Sequence, residues 1–180
     1  VIKPGITPGQ VFVLLAKTGV GKSIFAMNVF HRMVTMQPDK KILFLSLEQT
    51  RGEWFERARR IHKFYDPWAT EKDTMELYRN KLMIVDKNKV TPDEMENILD
   101  QFGETVGHQP DFCVVDYLGY WARGFRGESY ERTTSAMMAM KAIAKDRKIA
   151  FMAPHQVSRT TEIGEEINLN SAKECITGDT

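Results

Sequence analysis

Near the start of the chain, two glycines, a lysine and a serine have the types and the spacing that bind a chain of phosphates: Gly19, Gly21, Lys22 and Ser23. The glycines allow the backbone to turn its N–H groups toward phosphate oxygens, and the start of the following helix adds partial positive charge. The lysine reaches the β- and γ-phosphates, and the serine hydroxyl binds Mg²⁺. Only Ala16, at the first position, departs from the phosphate-loop pattern. The expected nucleotide-contacting residues are Lys17, Thr18, Gly19, Val20, Gly21, Lys22, Ser23 and Ile24.

Two carboxylates follow apolar runs that are typical of buried strands. Asp116 ends one such run, and an acid at that point beside the loop strand holds Mg²⁺ together with Ser23. Glu48 ends another run, and we expect it to be the general base that polarises the attacking water. We assign the general base to Glu48 because the residue that follows Asp116 is Tyr117, which is not an acid. The predicted metal ligands are therefore Ser23 and Asp116, and the predicted cofactors are ATP and Mg²⁺.

A polar amide follows the last apolar run. Gln156 at this strand end is suited to sense the γ-phosphate and to pass that signal to the next loop. The simpler alternative is that Gln156 and the neighbouring His155 only satisfy backbone groups of a turn. The predicted catalytic residues are thus Lys22, Glu48 and Gln156.

Strand-length apolar runs alternate with longer segments of helical periodicity. The predicted strands are 11–15, 42–47, 82–85, 112–115 and 149–153, and the predicted helices are 22–36, 52–64, 91–102 and 130–147. Continuous apolar runs favour strands covered on both faces, and the alternation predicts an α/β fold with a mostly parallel sheet sandwiched by helices. In such sheets ligands bind beyond the carboxyl ends of the strands. Gly103 is expected to end its helix, and 119–129 and 157–180 are expected to be flexible connections.

Composition narrows the classes of protein to which the chain can belong. With 180 residues, it is expected to be one domain with its own core. The 25 basic residues against 24 acidic ones exclude a strongly basic nucleic-acid coat but permit a local basic loop. The two cysteines have no metal-binding spacing, and no apolar run is long enough to span a membrane. A membrane partner is therefore not expected.

Taken together, the motifs resemble the RecA-like ATPase domain of DnaB-type replicative helicases over nearly the whole chain. The segments that carry the resemblance are 7–11, the Walker A segment 16–23, Ser-Leu-Glu at 46–48, Asp-Tyr-Leu at 116–118 and Gln-Val-Ser-Arg at 156–159, with a weaker match at 171–174. Two pairs depart from the family pattern. Lys17 and Thr18 stand where the family usually has Arg-Pro, and Pro154 and His155 precede the sensor glutamine. Such departures indicate a divergent member, such as a phage protein.

The resemblance implies a RecA-like P-loop NTPase core that hydrolyses ATP, moves along single-stranded DNA and unwinds the duplex. It also implies a homo-hexamer or other ring, a primase or loader as partner, and a cytoplasmic location (the host cytoplasm if the protein is phage-encoded). The family's loops after the Walker B and sensor strands hold DNA, so Arg123, Arg126 and Arg159 are candidate DNA-binding residues. Ordinary solvated surface is the simpler alternative for these arginines. The family's later strands and basic finger have no visible counterpart, so 1–180 is expected to be a fragment.

Two other classes of protein share the phosphate loop. A protein of the RecA, RadA or KaiC type would use ATP to bind DNA or to assemble without unwinding. A small-molecule P-loop kinase would need an arginine-rich lid, for which 51–60 is the candidate. Asp-Tyr at 116–117 and Gln156 fit kinases less well, and the Ser-Leu-Glu and Asp-Tyr-Leu segments favour the helicase.

Overall fold

A computed structural model describes residues 5–156 of the chain. In that part, five strands form one sheet: β1 (Val11–Ala16), β2 (Ile42–Ser46), β3 (Leu82–Asp86), β4 (Phe112–Asp116) and β5 (Ala150–Gln156). Their order is β1-β5-β4-β2-β3, and every neighbouring pair is parallel. All carboxyl ends therefore meet at one edge of the sheet, where the phosphate loop, Glu48, Asp116 and Gln156 come together.

The helices of the described part are α1 (Lys22–Met36), α2 (Arg51–Tyr65), α3 (Glu71–Tyr78), α4 (Pro92–Val106), α5 (Leu118–Ala122) and α6 (Ser129–Arg147). At α2, α3 and α4, a threonine and an acidic residue three positions later cap each other's backbone N–H groups. The predicted start of α4 at Thr91, Pro92 and Glu94 is confirmed. At α2, the cap fixes where the helix begins after β2, and hence which of its side chains reach the carboxyl edge of the sheet.

The sheet is covered on both faces. On one face, α4, α5 and α6 contribute the buried side chains of Leu99, Trp121 and Met140. On the other face, α1, α2 and α3 contribute Phe30, Trp54 and Tyr78. Burial on both sides explains why the strands are continuous apolar runs. The predicted α/β fold, a parallel sheet sandwiched by helices, is confirmed.

The prediction that Gly103 ends a helix is wrong. Helix α4 continues to Val106, and it ends at Gly107, which has a φ of 91° in the left-handed region. The N–H of Gly107 donates to the carbonyl of Gly103 at 2.8 Å, which closes the last turn. Both residues are glycines, so residue type alone does not say which of them adopts the left-handed conformation.

The segment 119–129, expected to be flexible, instead contains most of helix α5. Leu118 and Trp121 are both fully buried, and this burial orders the segment against the sheet and α6. Helix α3 has no counterpart among the predicted helices because most of its residues are polar. The expected connection 157–180 lies outside the described residues. Across 5–156, no helix combines the length and the apolar character needed to cross a membrane.

Candidate nucleotide-binding site

The phosphate loop lies between β1 and α1, as its sequence predicts. Gly19 and Gly21 have φ angles of 80° and 90°, which side-chain-bearing residues rarely adopt. A Cβ atom at either position would meet nothing within 4 Å, so backbone conformation, rather than crowding, calls for glycine here. Gly21 also precedes the first turn of α1, and its carbonyl accepts the Phe25 N–H at 2.8 Å. The loop therefore ends at a helix N-terminus, which favours anions.

Lys22 is held against its own loop. Its Nζ donates to the carbonyl oxygens of Ala16 at 3.1 Å and Lys17 at 2.8 Å. The ammonium group is thus positioned at the phosphate loop before any phosphate contacts it. A phosphate that enters the loop can replace these carbonyls as the acceptor.

Ser23 and Asp116 meet across the sheet edge. The Ser23 hydroxyl donates to Oδ1 of Asp116 at 3.2 Å, although the two residues belong to α1 and β4. Burial raises the pKa of Asp116 to about 6, the hydrogen bond from Ser23 opposes that rise, and the charge of Glu48 adds to it. A buried carboxylate beside a hydroxyl is a fitting pair of oxygen ligands for Mg²⁺, which usually completes its shell with waters and phosphate oxygens.

Glu48 occupies the turn that follows β2. The Leu47 N–H donates to the Asp116 carbonyl at 2.9 Å, and the Ser46 hydroxyl donates to the Gln49 carbonyl at 2.7 Å. These two bonds fix the backbone on both sides of Glu48, whose side chain is exposed to the cleft. An exposed carboxylate on a fixed turn is suited to accept a proton from a water molecule.

Gln156 joins the end of β5 to the phosphate loop. In the sheet it lies opposite Ala16, the last residue of β1. Its side-chain amide donates to the Thr18 hydroxyl. The neighbouring His155 is buried, and neither ring nitrogen has a partner among residues 5–156. Burial, reinforced by the charge of Lys22, lowers the pKa of His155 to about 4, so its ring is neutral at physiological pH.

These groups line one cleft of about 460 Å³ at the carboxyl edge of the sheet. The lining residues are Thr18, Gly19, Gly21, Lys22, Ser23, Ile24, Glu48, Gln49, Glu53, Arg57, Asp116, Tyr117 and Gln156. The structure thus brings together all the predicted catalytic and metal-binding residues. Two predicted nucleotide contacts, Lys17 and Val20, do not line it, and Val20 is 63% exposed.

The sequence does not single out Arg57 or Glu53, which reach the cleft from the first turns of α2. The available signal is the capping box of Thr50 and Glu53, which fixes the start of that helix directly after Glu48. A helix that begins at the sheet edge presents its first turns to the edge.

Two of the candidate DNA-binding arginines, Arg123 and Arg126, are not among the residues that line the cleft. Arg123 and Arg126 are exposed beyond α5, and the Arg123 guanidinium lies 4.1 Å above the centre of the Tyr120 ring. Trp121, close to these arginines in the sequence, is buried in the core, so its ring is not exposed for stacking on a base. Arg159 lies outside the described residues.

A parallel sheet with a phosphate loop after β1 and an acid at the end of β4 defines the RecA-like class of P-loop ATPase folds. A solved structure that describes a DnaB-like replicative helicase and its interactions with primase has the same fold, with a TM-score of 0.75 and 16% identity. The match covers 94% of this chain and 44% of that one. A second solved structure, an ATPase domain, aligns with a TM-score of 0.77 and 17% identity, over 93% of this chain and 65% of that one.

The chain belongs to the family of the DnaB-like helicase C-terminal domain, whose family model matches residues 2–168. It is 26% identical over 174 residues to the replicative DNA helicase DnaB of Pasteurella multocida (strain Pm70). It is also 26% identical over 172 residues to DnaB of Leifsonia xyli subsp. xyli (strain CTCB07). In both, the match covers 88% of this chain but 37% of the relative's length. The family resemblance carried by the sequence motifs is therefore confirmed.

Proposed function

We propose that this chain is the ATP-hydrolysing motor domain of a DnaB-like replicative helicase, which couples hydrolysis to translocation on single-stranded DNA and to unwinding. The observation that carries the proposal is the convergence in one cleft of the phosphate loop, Glu48, Asp116 and Gln156. Family membership favours this motor over an ATP-dependent assembly switch of the RecA, RadA or KaiC type, and over a small-molecule kinase.

We assign a part in ATP hydrolysis to each of these side chains. The phosphates bind in the loop, where Lys22 exchanges the Ala16 and Lys17 carbonyls for phosphate oxygens. Ser23 and Asp116 would hold Mg²⁺, which neutralises charge on the β- and γ-phosphate oxygens when bound. Glu48 accepts a proton from the attacking water and orients it in line with the γ-phosphate.

Gln156 couples the cleft to the chain that follows β5. Its contact with Thr18 links it directly to the phosphate loop, so a γ-phosphate that displaces this contact would move the amide. The segment after Gln156, which carries Arg159, would then change its hold on single-stranded DNA. Arg123 and Arg126 would add phosphate contacts that do not depend on base sequence and weaken with salt.

The expected assembly is a homo-hexamer or other ring in the cytoplasm, or in the host cytoplasm if the protein is phage-encoded. The structural relative described with primase supports a primase or a loader as a partner. The chain spans 37% of the length of the two DnaB relatives, and we expect this part to be enough to bind nucleotide.

The decisive experiment measures ATP hydrolysis by the full chain with and without single-stranded DNA at low salt. We expect stimulation by DNA, and we expect Lys22→Ala to abolish turnover without changing the circular dichroism spectrum. Lys72→Ala, at an exposed lysine of α3 that does not line the cleft, is the matched control and should hydrolyse ATP like the parent. Parental turnover in the Lys22→Ala variant would contradict the site.

Electron microscopy with ATP and DNA separates the motor from the assembly switch. Closed rings support the motor. Open filaments, together with nucleotide binding but no stimulation by DNA, would favour the assembly switch.

A further inference from the structure

Two loops at the carboxyl edge of the sheet touch each other, although they follow different strands. They are the β3–α4 loop (residues 87–91) and the α5–α6 turn (residues 123–128), and they meet where the backbone of Gly124 lies against the carbonyl of Val90. A Cβ atom at Gly124 would lie 2.2 Å from the Val90 oxygen, so this approach requires glycine. Val90 is fully buried in the same cluster as Leu118 and Trp121, and this burial holds the two loops together.

Each loop carries an exposed cation next to this contact. Lys89 directly precedes Val90 in the β3–α4 loop. Arg123 directly precedes Gly124 in the α5–α6 turn, and Arg126 follows two residues later. Lys89 and Arg123 are thus each one residue, about 3.8 Å between Cα atoms, from the point where the loops touch. The β3–α4 loop therefore adds a positive charge to the edge that carries two of the candidate DNA-binding arginines.

These cations are not neutralised by the described part of the chain. Among residues 5–156, no salt bridge involves Lys89, Arg123 or Arg126. The Arg123 guanidinium lies 4.1 Å above the centre of the Tyr120 ring, a contact that leaves its charge in place. Asn88 is exposed beside Lys89 and adds an amide that can donate to an anionic oxygen.

The carboxylates that flank the β3–α4 loop are already bonded. Asp86, before the loop, accepts a backbone N–H from the start of α2 at 2.7 Å. Glu94, in the first turn of α4, accepts the N–H of the helix cap residue at 2.8 Å and pairs with Lys87 at 3.6 Å. Lys87 is thus paired locally, whereas Lys89 is left to meet an anion from outside the described fold.

We propose that the β3–α4 loop and the α5–α6 turn form one binding surface for the backbone of single-stranded nucleic acid, on which Lys89 contacts a phosphate beside the one held by Arg123. This proposal deepens the proposed function and rests on it. Unpaired cations on two touching loops complement the closely spaced phosphates of one strand. A protein partner would need an apolar centre to its interface, but here Trp121 is buried and Phe125 packs against it.

The test is the affinity of the full chain for a fluorescein-labelled thymidine oligonucleotide, measured by fluorescence anisotropy over a series of salt concentrations. We expect Lys89→Ala to weaken binding several-fold at low salt. It should also reduce the slope of log affinity against log salt by about 0.7, the value for one phosphate contact on a single strand. Lys89→Arg should restore both quantities. Lys72→Ala, at an exposed lysine of α3 on the opposite face of the sheet, is the matched control and should change neither.

Two outcomes would overturn the proposal. One is a Lys89→Ala variant with the affinity and the salt slope of the parent. The other is tighter binding of a polyglutamate peptide than of the oligonucleotide, lost in Lys89→Ala, which would assign the surface to an acidic protein segment.

Arg123→Ala and the parent separate these failures from failure of the proposed function. If Arg123→Ala weakens oligonucleotide binding and Lys89→Ala does not, the part played by the β3–α4 loop is wrong and the motor stands. If the parent itself does not bind the oligonucleotide at low salt, the proposed function is wrong as well.

Discussion

The nucleotide cleft and the segment that follows β4 lie at the same edge of the sheet, but different forces hold them in place. In the cleft, backbone conformation dominates, because Gly19 and Gly21 keep left-handed φ angles in a loop that meets few other atoms. In residues 118–125, named the α5 segment here, burial dominates. Trp121 is fully buried there, and its ring lies 5.2 Å from that of Phe125 in an edge-on contact.

This difference separates activity from stability. Gly19 and Gly21 border open space and Glu48 is exposed, so substitutions at these positions should change nucleotide binding and turnover far more than the free energy of unfolding. The α5 segment is part of the core, so substitutions there should lower the free energy of unfolding first. Variants in the two regions can test whether this separation holds.

The largest expected effect is in the α5 segment. Trp121→Ala should lower the free energy of unfolding by about 3–5 kcal/mol, because a large buried aromatic side chain leaves a cavity. Urea denaturation followed by circular dichroism measures it. Trp68→Ala is the matched control, since Trp68 is 90% exposed and its loss should leave the midpoint unchanged. If Trp121→Ala and Trp68→Ala had equal denaturation midpoints, burial would not be what holds the α5 segment in place.

The next effect belongs to the cleft and concerns rate. Glu48→Gln should slow ATP turnover by at least about 100-fold, because the amide cannot accept the proton of the attacking water. Nucleotide affinity and the denaturation midpoint should match those of the parent. Glu104→Gln, at an exposed position of α4, controls for the loss of one negative charge. Undiminished turnover in Glu48→Gln would assign the base to another residue.

A smaller effect tests whether conformation alone holds the phosphate loop. Gly21→Ala places a side chain at a φ of 90° and should cost about 1–2 kcal/mol of stability, with a loss of nucleotide binding. Gly52→Ala is the matched control, because Gly52 lies in α2 with an ordinary φ and open space around it. That variant should be as stable as the parent or slightly more stable. Retained nucleotide affinity in Gly21→Ala would contradict the prediction.

The smallest effect concerns the exposed side of the α5 segment. Tyr120→Leu removes the ring under the Arg123 guanidinium, and the coupling between this ring and Arg123 should be about 0.5–1 kcal/mol, the usual size of an exposed cation–π contact. A double-mutant cycle with Arg123→Ala isolates the pair from other losses. If the two single effects simply add, the ring does not stabilise the arginine.

Much of the cleft is predictable from the sequence because its chemistry is local. Glycine at 19 and 21 and lysine at 22 follow one another between a strand and a helix, so their relation does not depend on distant parts of the chain. Asp116 and Glu48 are also predictable. Continuous apolar runs indicate buried parallel strands, and the carboxyl ends of parallel strands lie at the same edge of the sheet.

The unpredicted features depend on tertiary packing. Arg57 reaches the cleft only because α2 leaves the sheet edge in a particular direction. Helix α5 forms because Trp121 is buried against other elements, although glycines at 119 and 124 suggest a flexible loop. Gly124 itself is required by packing, since a Cβ atom there would collide with the Val90 carbonyl oxygen. Residue type did not reveal this close approach.

The two carbonyl contacts of Lys22 have a consequence for the salt dependence of nucleotide binding. Because the ammonium already donates to Ala16 and Lys17, a phosphate replaces acceptors that exist rather than adding new ones. Each exchange replaces a neutral acceptor by an anionic one, but it leaves a carbonyl that must be hydrated or bonded elsewhere. The contribution of this lysine to affinity is therefore mainly the attraction between opposite charges, which weakens as ionic strength rises. Nucleotide affinity of this protein, titrated at increasing salt concentrations, should therefore fall, and the fall should be smaller in Lys22→Ala than in the parent.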